Sequence, residues 1–249
     1  MVNNCINFIQ NLLFQPSCLL CGNVTHTTRS ICQACADNLP ANDFHCRICS
    51  ASFGIDNTNM SSGPVCPTSL TCPTCQKRPP SYSSSFVPYL YKDRMCDLVQ
   101  QFKFHHNLTA GKALCQLFVD KLTSCKELPD VLIPVPLHPY RMRQRGFNQS
   151  GWLATEIAKS TGISVDHSAI RRRQNTEAQH RISRQKRMQN LRKAFSSTRP
   201  VDEKHIAIID DVMTTGATAE AISKVIKQSS DTRIDIWAIA RTPDKQSKP

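Results

Sequence analysis

No stretch of this 249-residue chain approaches the 18 or more consecutive apolar residues that a bilayer-spanning helix needs. The start, Met1 to Phe14, also lacks the basic region and small-residue cleavage site of a secretory signal. Ile6, Ile9 and Leu13 fall at helical spacing there, so a short amphipathic helix packed on the body is expected. These two absences predict a soluble, cytoplasmic chain without membrane insertion. Few aromatic residues interleave with the arginines; Tyr140, Phe147 and Trp152 are the candidates, so a base-stacking platform finds only weak support. Bulky apolar side chains are scarce before residue 79, and that part of the chain could not bury a core unaided.

Cysteine is abundant in the region that lacks a core. Of thirteen cysteines, eight form four CxxC pairs within 58 residues: Cys18/Cys21, Cys32/Cys35, Cys46/Cys49 and Cys72/Cys75. One such pair can be redox-active or accidental, but four in series have the spacing of zinc knuckles, each pair giving two thiolates to a tetrahedral ion. Metal binding would then supply the folding free energy that the missing core cannot. Disulfides compete with this reading and are disfavoured in a cytosolic chain. The simplest scheme assigns Cys18, Cys21, Cys32 and Cys35 to one zinc and Cys46, Cys49, Cys72 and Cys75 to a second; spacing alone also permits interleaving. Cys66 could replace a ligand or be a spare thiol. Four thiolates leave no open position, so both zinc ions would be structural.

Charge is unevenly placed. Residues 1–85 carry four Lys/Arg against three Asp/Glu, whereas residues 138–193 carry thirteen Lys/Arg against Glu156, Asp166 and Glu177. An excess of ten in 56 residues implies an anionic partner: pyrophosphate, nucleic acid, or both. Pro79 to Ser85 reads as a linker, dividing an N-terminal helix and double ribbon (1–78) from a larger domain (86–249). In that domain, Phe86–Tyr91 reads as a strand. Asp97–Phe104 and Thr109–Leu122 have helical spacing, and Val131–Pro136 reads as a buried strand followed by a basic loop and a helix over Asn148–Lys159. Strand Ile206–Asp210, helix Ala217–Lys227 and strand Ile234–Ala240 complete the alternation. The fold class expected is α/β: a parallel sheet with helices on both faces and ligands beyond the carboxyl ends of its strands.

The segment His205 to Thr218 is the most informative. An apolar strand ends in Asp210 and Asp211, and Met213, Thr214, Thr215, Gly216, Ala217 and Thr218 form a hydroxyl- and glycine-bearing turn into a helix. Such a turn can wrap a phosphate with hydroxyls and N–H groups at the positive end of the helix. The acids suit a pair of ribose hydroxyls or, less directly, a magnesium ion. No Lys follows the glycine, so the P-loop pattern fails. The segment resembles the 5-phosphoribosyl-1-pyrophosphate (PRPP) motif of type I phosphoribosyltransferases. Upstream, Arg141, Arg143 and Arg145 alternate before Gly146, an arrangement that can grip a pyrophosphate through planar, charge-assisted forks or can be a solvated basic loop. Residues 171–182 have little apolar content and read as a mobile lid or as a solvated stretch, followed by a basic helix over Ser183–Lys193. Lys103, His105 and His106 lie between two helices, and surface roles are expected for both histidines.

Taken together, the CxxC pairs, Val135-Pro136-Leu137, Arg145-Gly146-Phe147-Asn148-Gln149, the spacing Gln179, Arg187, Asn190, Phe195, and the Asp210–Thr218 motif resemble the competence protein F (ComF) family. The resemblance implies a double zinc ribbon joined to a type I phosphoribosyltransferase-like domain. It further implies magnesium–PRPP and single-stranded DNA as ligands, other competence proteins as possible partners, and a cytoplasmic role in natural transformation. Whether PRPP is turned over or only sensed stays open, and no residue stands out as a general base for an acceptor.

Overall fold

The computed structural model describes residues 17–25, 27, 29–53, 70–104, 107–122, 127–173 and 194–243. In chain order these form α1 (Gln33–Asp37), α2 (Pro73–Lys77), β1 (Ser84–Phe86), β2 (Tyr89–Leu90), α3 (Asp93–Phe104), α4 (Leu108–Leu122) and β3 (Val131–Pro134). They continue with α5 (Pro139–Arg145), α6 (Gln149–Thr161), β4 (Ser164–Val165), β5 (Ile170–Arg172), β6 (Phe195–Ser197), β7 (His205–Met213), α7 (Ala217–Ile226) and β8 (Arg233–Arg241). The expected N-terminal helix, Cys66, His105, His106, most of the expected lid and the 183–193 helix lie outside the described residues.

The sheet has the order β1-β8-β7-β3-β4, with β2 also pairing to β8, and every pairing in it is parallel. Strand β7 sorts its side chains by the period-2 rule. Ile206 and Ile208 join a core with Ile222 and Ile226 of α7, whereas Ala207 and Ile209 join one with Leu98 and Phe102 of α3, Leu114 and Phe118 of α4, and Leu153 and Ile157 of α6. Both faces are therefore covered, as parallel sheets require. The carboxyl ends of β3 and β7 register side by side, Pro134 against Ile209, and deliver α5 and the 214–216 turn to the same edge.

The expected single strand over 86–91 is two strands, because Pro88 lacks an N–H and interrupts the ladder between β1 and β2. The expected linker 79–85 is also part of the body. The Ser81 N–H and hydroxyl donate to Glu220 of α7 (2.7 and 3.2 Å), Tyr82 is buried, and Ser84 begins β1. This edge is closed by the cysteine-rich region. The Leu90 N–H donates to the Pro40 carbonyl (2.8 Å), the Asn42 N–H to Pro88 (2.9 Å) and the Ser85 N–H to Arg47 (3.1 Å). An edge strand that would otherwise present unpaired backbone is thereby blunted.

Two further expectations change. The basic loop after β3 is a short helix: His138 caps it by accepting the Tyr140 N–H, Pro139 occupies its first turn, and Gly146 ends it at φ 72°. The start of the expected lid is instead strand β5, paired antiparallel with β6, with Ala169, Ile170, Ala194 and Phe195 buried against the α7 face.

Candidate ligand site and metal centres

The cysteines fall into the sequential scheme. Cys18, Cys21, Cys32 and Cys35 form one cluster and Cys46, Cys49, Cys72 and Cys75 the other, with the sulfurs of each within 4.8 Å of one another. Cys21 and Cys32 Sγ are 3.8 Å apart, and Cys49 and Cys72 Sγ 3.7 Å. A tetrahedron with Zn–S bonds of about 2.3 Å has edges of about 3.8 Å, whereas a disulfide would need about 2.05 Å. Backbone amides already point at the sulfurs: Leu20 and Cys32 N–H donate to Cys18 Sγ (both 3.4 Å), and Cys72 N–H to Cys46 Sγ (3.3 Å). Burial opposes ionisation of Cys18, yet these donors bring its thiol down to about 6; burial, then the neighbouring thiols, lift Cys35 to about 12. The donor set fits zinc, with the outer hydrogen bonds that thiolate sites use. The first cluster packs on the α3/α4 face and the second on the α7 face, so the two ribbons straddle the β1–β2 edge.

At the carboxyl edge of the sheet, β7 carries the acid pair shortly before its last residue, Met213, whose carbonyl accepts from Arg241 (3.2 Å). Arg241 also donates to the Cys49 carbonyl of the second cysteine cluster (3.1 Å). Asp210 Oδ1 accepts from the Ser150 hydroxyl (3.2 Å) and from the Asp211 N–H (2.9 Å). Asp211 Oδ1 accepts from the Val212 N–H (2.6 Å) and forms an ion pair with Lys103 Nζ at 2.9 Å. Burial, then the Asp211 charge, raise the Asp210 carboxyl to about 7, against the pull of Lys103 and its hydrogen bonds. Among the described residues the two carboxylates share one lysine, so a ligand that brings positive charge or O–H donors favours the fully ionised pair.

The sequence reading placed Lys103 between two helices and gave it no role at the site. It occupies the last turn of α3, one residue after the core residue Phe102, and only the crossing of α3 over β7 brings it to Asp211. A lone cation ending an amphipathic helix was the available signal.

After the acids, the Met213 side chain is buried in the α7-side core, which leaves only its backbone for a ligand. Thr214 and Thr215 are exposed, and Gly216 caps the ten-residue α7 in the left-handed region at φ 75°. A Cβ on Gly216 would stand 3.0 Å from Met213 Cε and 3.2 Å from Tyr82 Oη, so those side-chain ends would have to give way, and the left-handed backbone itself favours glycine. Thr215 Oγ1 accepts from the Ala217 N–H (3.4 Å), while Ala217 and Thr218 begin the helix. Hydroxyls and helix-start amides thus converge beside the acids.

The arginines lie on α5. Arg143 is exposed, and Arg141 and Arg145 are half-buried. Arg145 donates to Gln149 Oε1 (3.5 Å). Gln149 is only 2% exposed, and its Nε2 has no partner among the described residues. Of the three aromatics expected near the arginines, Phe147 and Trp152 are spent on Phe102, at ring distances of 5.5 and 5.2 Å; Tyr140 stays open. No helix among the described residues is long and apolar enough to cross a membrane.

Comparison with known proteins adds four findings. A family model for the double zinc ribbon domain matches residues 9–76. DNA utilization protein YhgH of Salmonella typhimurium is 30% identical over 226 residues, covering 87% of this chain and 99% of that protein. Competence protein F of Haemophilus influenzae is 31% identical over 178 residues, covering 68% and 78% respectively. Among solved structures, a purine phosphoribosyltransferase from Pyrococcus horikoshii Ot3 is similar at 18% identity and a TM-score of 0.30, covering 52% of this chain and 80% of that one. The α/β assignment rests on the sheet order and not on that last likeness.

Proposed function

We infer function from the premise that this chain belongs to the competence protein F (ComF) family, and propose that it binds magnesium–PRPP at the carboxyl edge of its sheet while handling incoming single-stranded DNA in the cytoplasm. The observation that carries the ligand assignment is the acid pair with its shared cation. A vicinal diol presents two O–H donors to Asp210 and Asp211, and magnesium would add the positive charge the pair lacks. Thr214, Thr215 and the amides of 216–218 would take the 5-phosphate at the start of α7. Arg141, Arg143 and Arg145 would take the pyrophosphate, and the spare Gln149 amide is one more donor for an anionic oxygen.

As a phosphoribosyltransferase, the protein would act mainly by preorganised charge. The α5 arginines would stabilise the departing pyrophosphate while positive charge develops at the anomeric carbon. The excess of ten positive charges over residues 138–193 supports a second reading, a non-catalytic adaptor for single-stranded DNA that uses PRPP as a regulatory ligand. Calorimetry on the Asp210→Ala/Asp211→Ala double variant tests the site. PRPP affinity should fall at least 100-fold with the fold intact, and undiminished affinity refutes the assignment. Pyrophosphate release from PRPP, with and without single-stranded DNA, separates the two readings.

A further inference from the structure

Phe104 is the last residue of α3, 62% exposed, and directly follows Lys103, which grips Asp211. The Arg145 guanidinium lies over its ring, 5.7 Å from the centroid, and is itself anchored by Gln149. Gln149 precedes Ser150, which donates to Asp210. Phe104, Lys103, Asp211, Asp210, Ser150, Gln149 and Arg145 therefore form a closed circuit of bonded and non-bonded contacts, with one open aromatic face on its rim. Below it, Phe102 is packed by Phe147 and Trp152, so the end of α3 is held firmly. Single exposed apolar residues are ordinary and need no function. This one has the Arg145 guanidinium over its ring and, as its chain neighbour, the lysine that pairs with the acids, and the loose cation–π contact leaves most of the ring to solvent.

We propose that Phe104, backed by Arg145, is a stacking platform that holds a nucleobase beside the acid pair. The proposal rests on the reading above and deepens it. If the acids take a sugar diol and the arginines take phosphates, the remaining part of a nucleotide-like assembly is a flat, uncharged heteroaromatic ring. Stacking on an aromatic face accepts any base and is worth about 1–3 kcal/mol per base, on the order of 5- to 150-fold in affinity. The base can come from a free nucleotide or from a DNA strand, and the chemistry of recognition is the same.

The test uses the full zinc-loaded chain with four probes: an oligothymidylate, an abasic oligonucleotide of equal length and charge, thymidine monophosphate, and inorganic pyrophosphate. Wild type should bind oligothymidylate more tightly than the abasic strand. Phe104→Ala should lower oligothymidylate affinity about tenfold while leaving abasic strand and pyrophosphate affinities within twofold. Phe104→Trp should restore the preference, and its added emission should be quenched on base binding. The monophosphate arm identifies the source of the base, since weakened binding of it marks a free nucleotide as sufficient. The proposal is overturned if wild type does not distinguish the two strands, or if Phe104→Ala weakens both equally or neither. Failure of the PRPP assignment is seen separately, in the double aspartate variant, which this comparison does not use.

Discussion

The two ends of strand β7 carry similar groups in opposite conditions. At the amino end, Asp235 accepts from the Ser84 hydroxyl (2.7 Å), from His205 Nε2 (2.7 Å) and from Arg233 (3.2 Å), while Arg233 also reaches Glu127 (2.5 Å). Asp130 accepts the His205 N–H at 2.9 Å. Each acid there has its donors within the chain. At the carboxyl end, Asp210 and Asp211 divide one lysine, and Asp210 is pushed far from the usual carboxylate range. A closed network stitches strands together, whereas one left short of positive charge is held by the fold at a cost that a ligand removes. The comparison locates function by what is unsatisfied, since both ends contain buried charge.

The largest effect separating the ends should come from Asp235→Asn. It keeps the shape but removes the negative charge that three donors surround, so the protein should lose about 3 kcal/mol in urea unfolding. PRPP affinity should not change; a stability loss within error, or lost binding, would erase the distinction between the ends. Asp210→Asn should do the reverse. Because the folded Asp210 holds its proton up to about 7 against an ordinary 3.8, its favourable contribution is complete below pH 3.8 and fades as pH rises to about 7. The variant should therefore be more stable than wild type at pH 8, by about 2 kcal/mol, with the gap closing towards pH 4, and should bind PRPP poorly. Thermal melts across pH measure the gap, and a variant less stable than wild type at pH 8 contradicts the assigned cost.

Much of this contrast was legible before any coordinates. The apolar run 206–209, its two acids and the turn through Gly216 are local, and the chain written there can do little else. The CxxC pairs also read as two sets of four thiols, but spacing left their pairing open, and only the structure brings Cys18, Cys21, Cys32 and Cys35 together apart from Cys46, Cys49, Cys72 and Cys75. What stayed hidden depends on how distant elements cross. Lys103 and Phe104 look like an ordinary helix end until α3 is laid beside β7. Phe147 and Trp152 look available until Phe102 takes them, and Ser84 and Ser85 look like linker until β8 pairs with them in parallel. The amino-end network was not foreseen for the same reason, since its members span residues 84 to 235.

The smallest and sharpest effect should come from Lys103→Met, which removes the shared cation and keeps the aliphatic stem. Lys103 pulls the Asp210 carboxyl down against burial and the Asp211 charge, so its loss lets that carboxyl hold its proton further into the alkaline range. Diol or magnesium binding favours the ionised pair. The pH midpoint for PRPP binding should therefore move up by about one pH unit, and affinity at pH 7 should fall about fivefold, recovering near pH 9. A lysine that binds the pyrophosphate directly predicts something else: a loss of affinity constant across pH. His205→Gln is the matching change at the amino end, and it should leave the midpoint in place because nothing in that network touches Asp210. Calorimetric titrations at four pH values on both variants decide whether the lysine tunes the acids or holds the ligand itself. A flat deficit for Lys103→Met would transfer it from the acid pair to the anion-binding arginines.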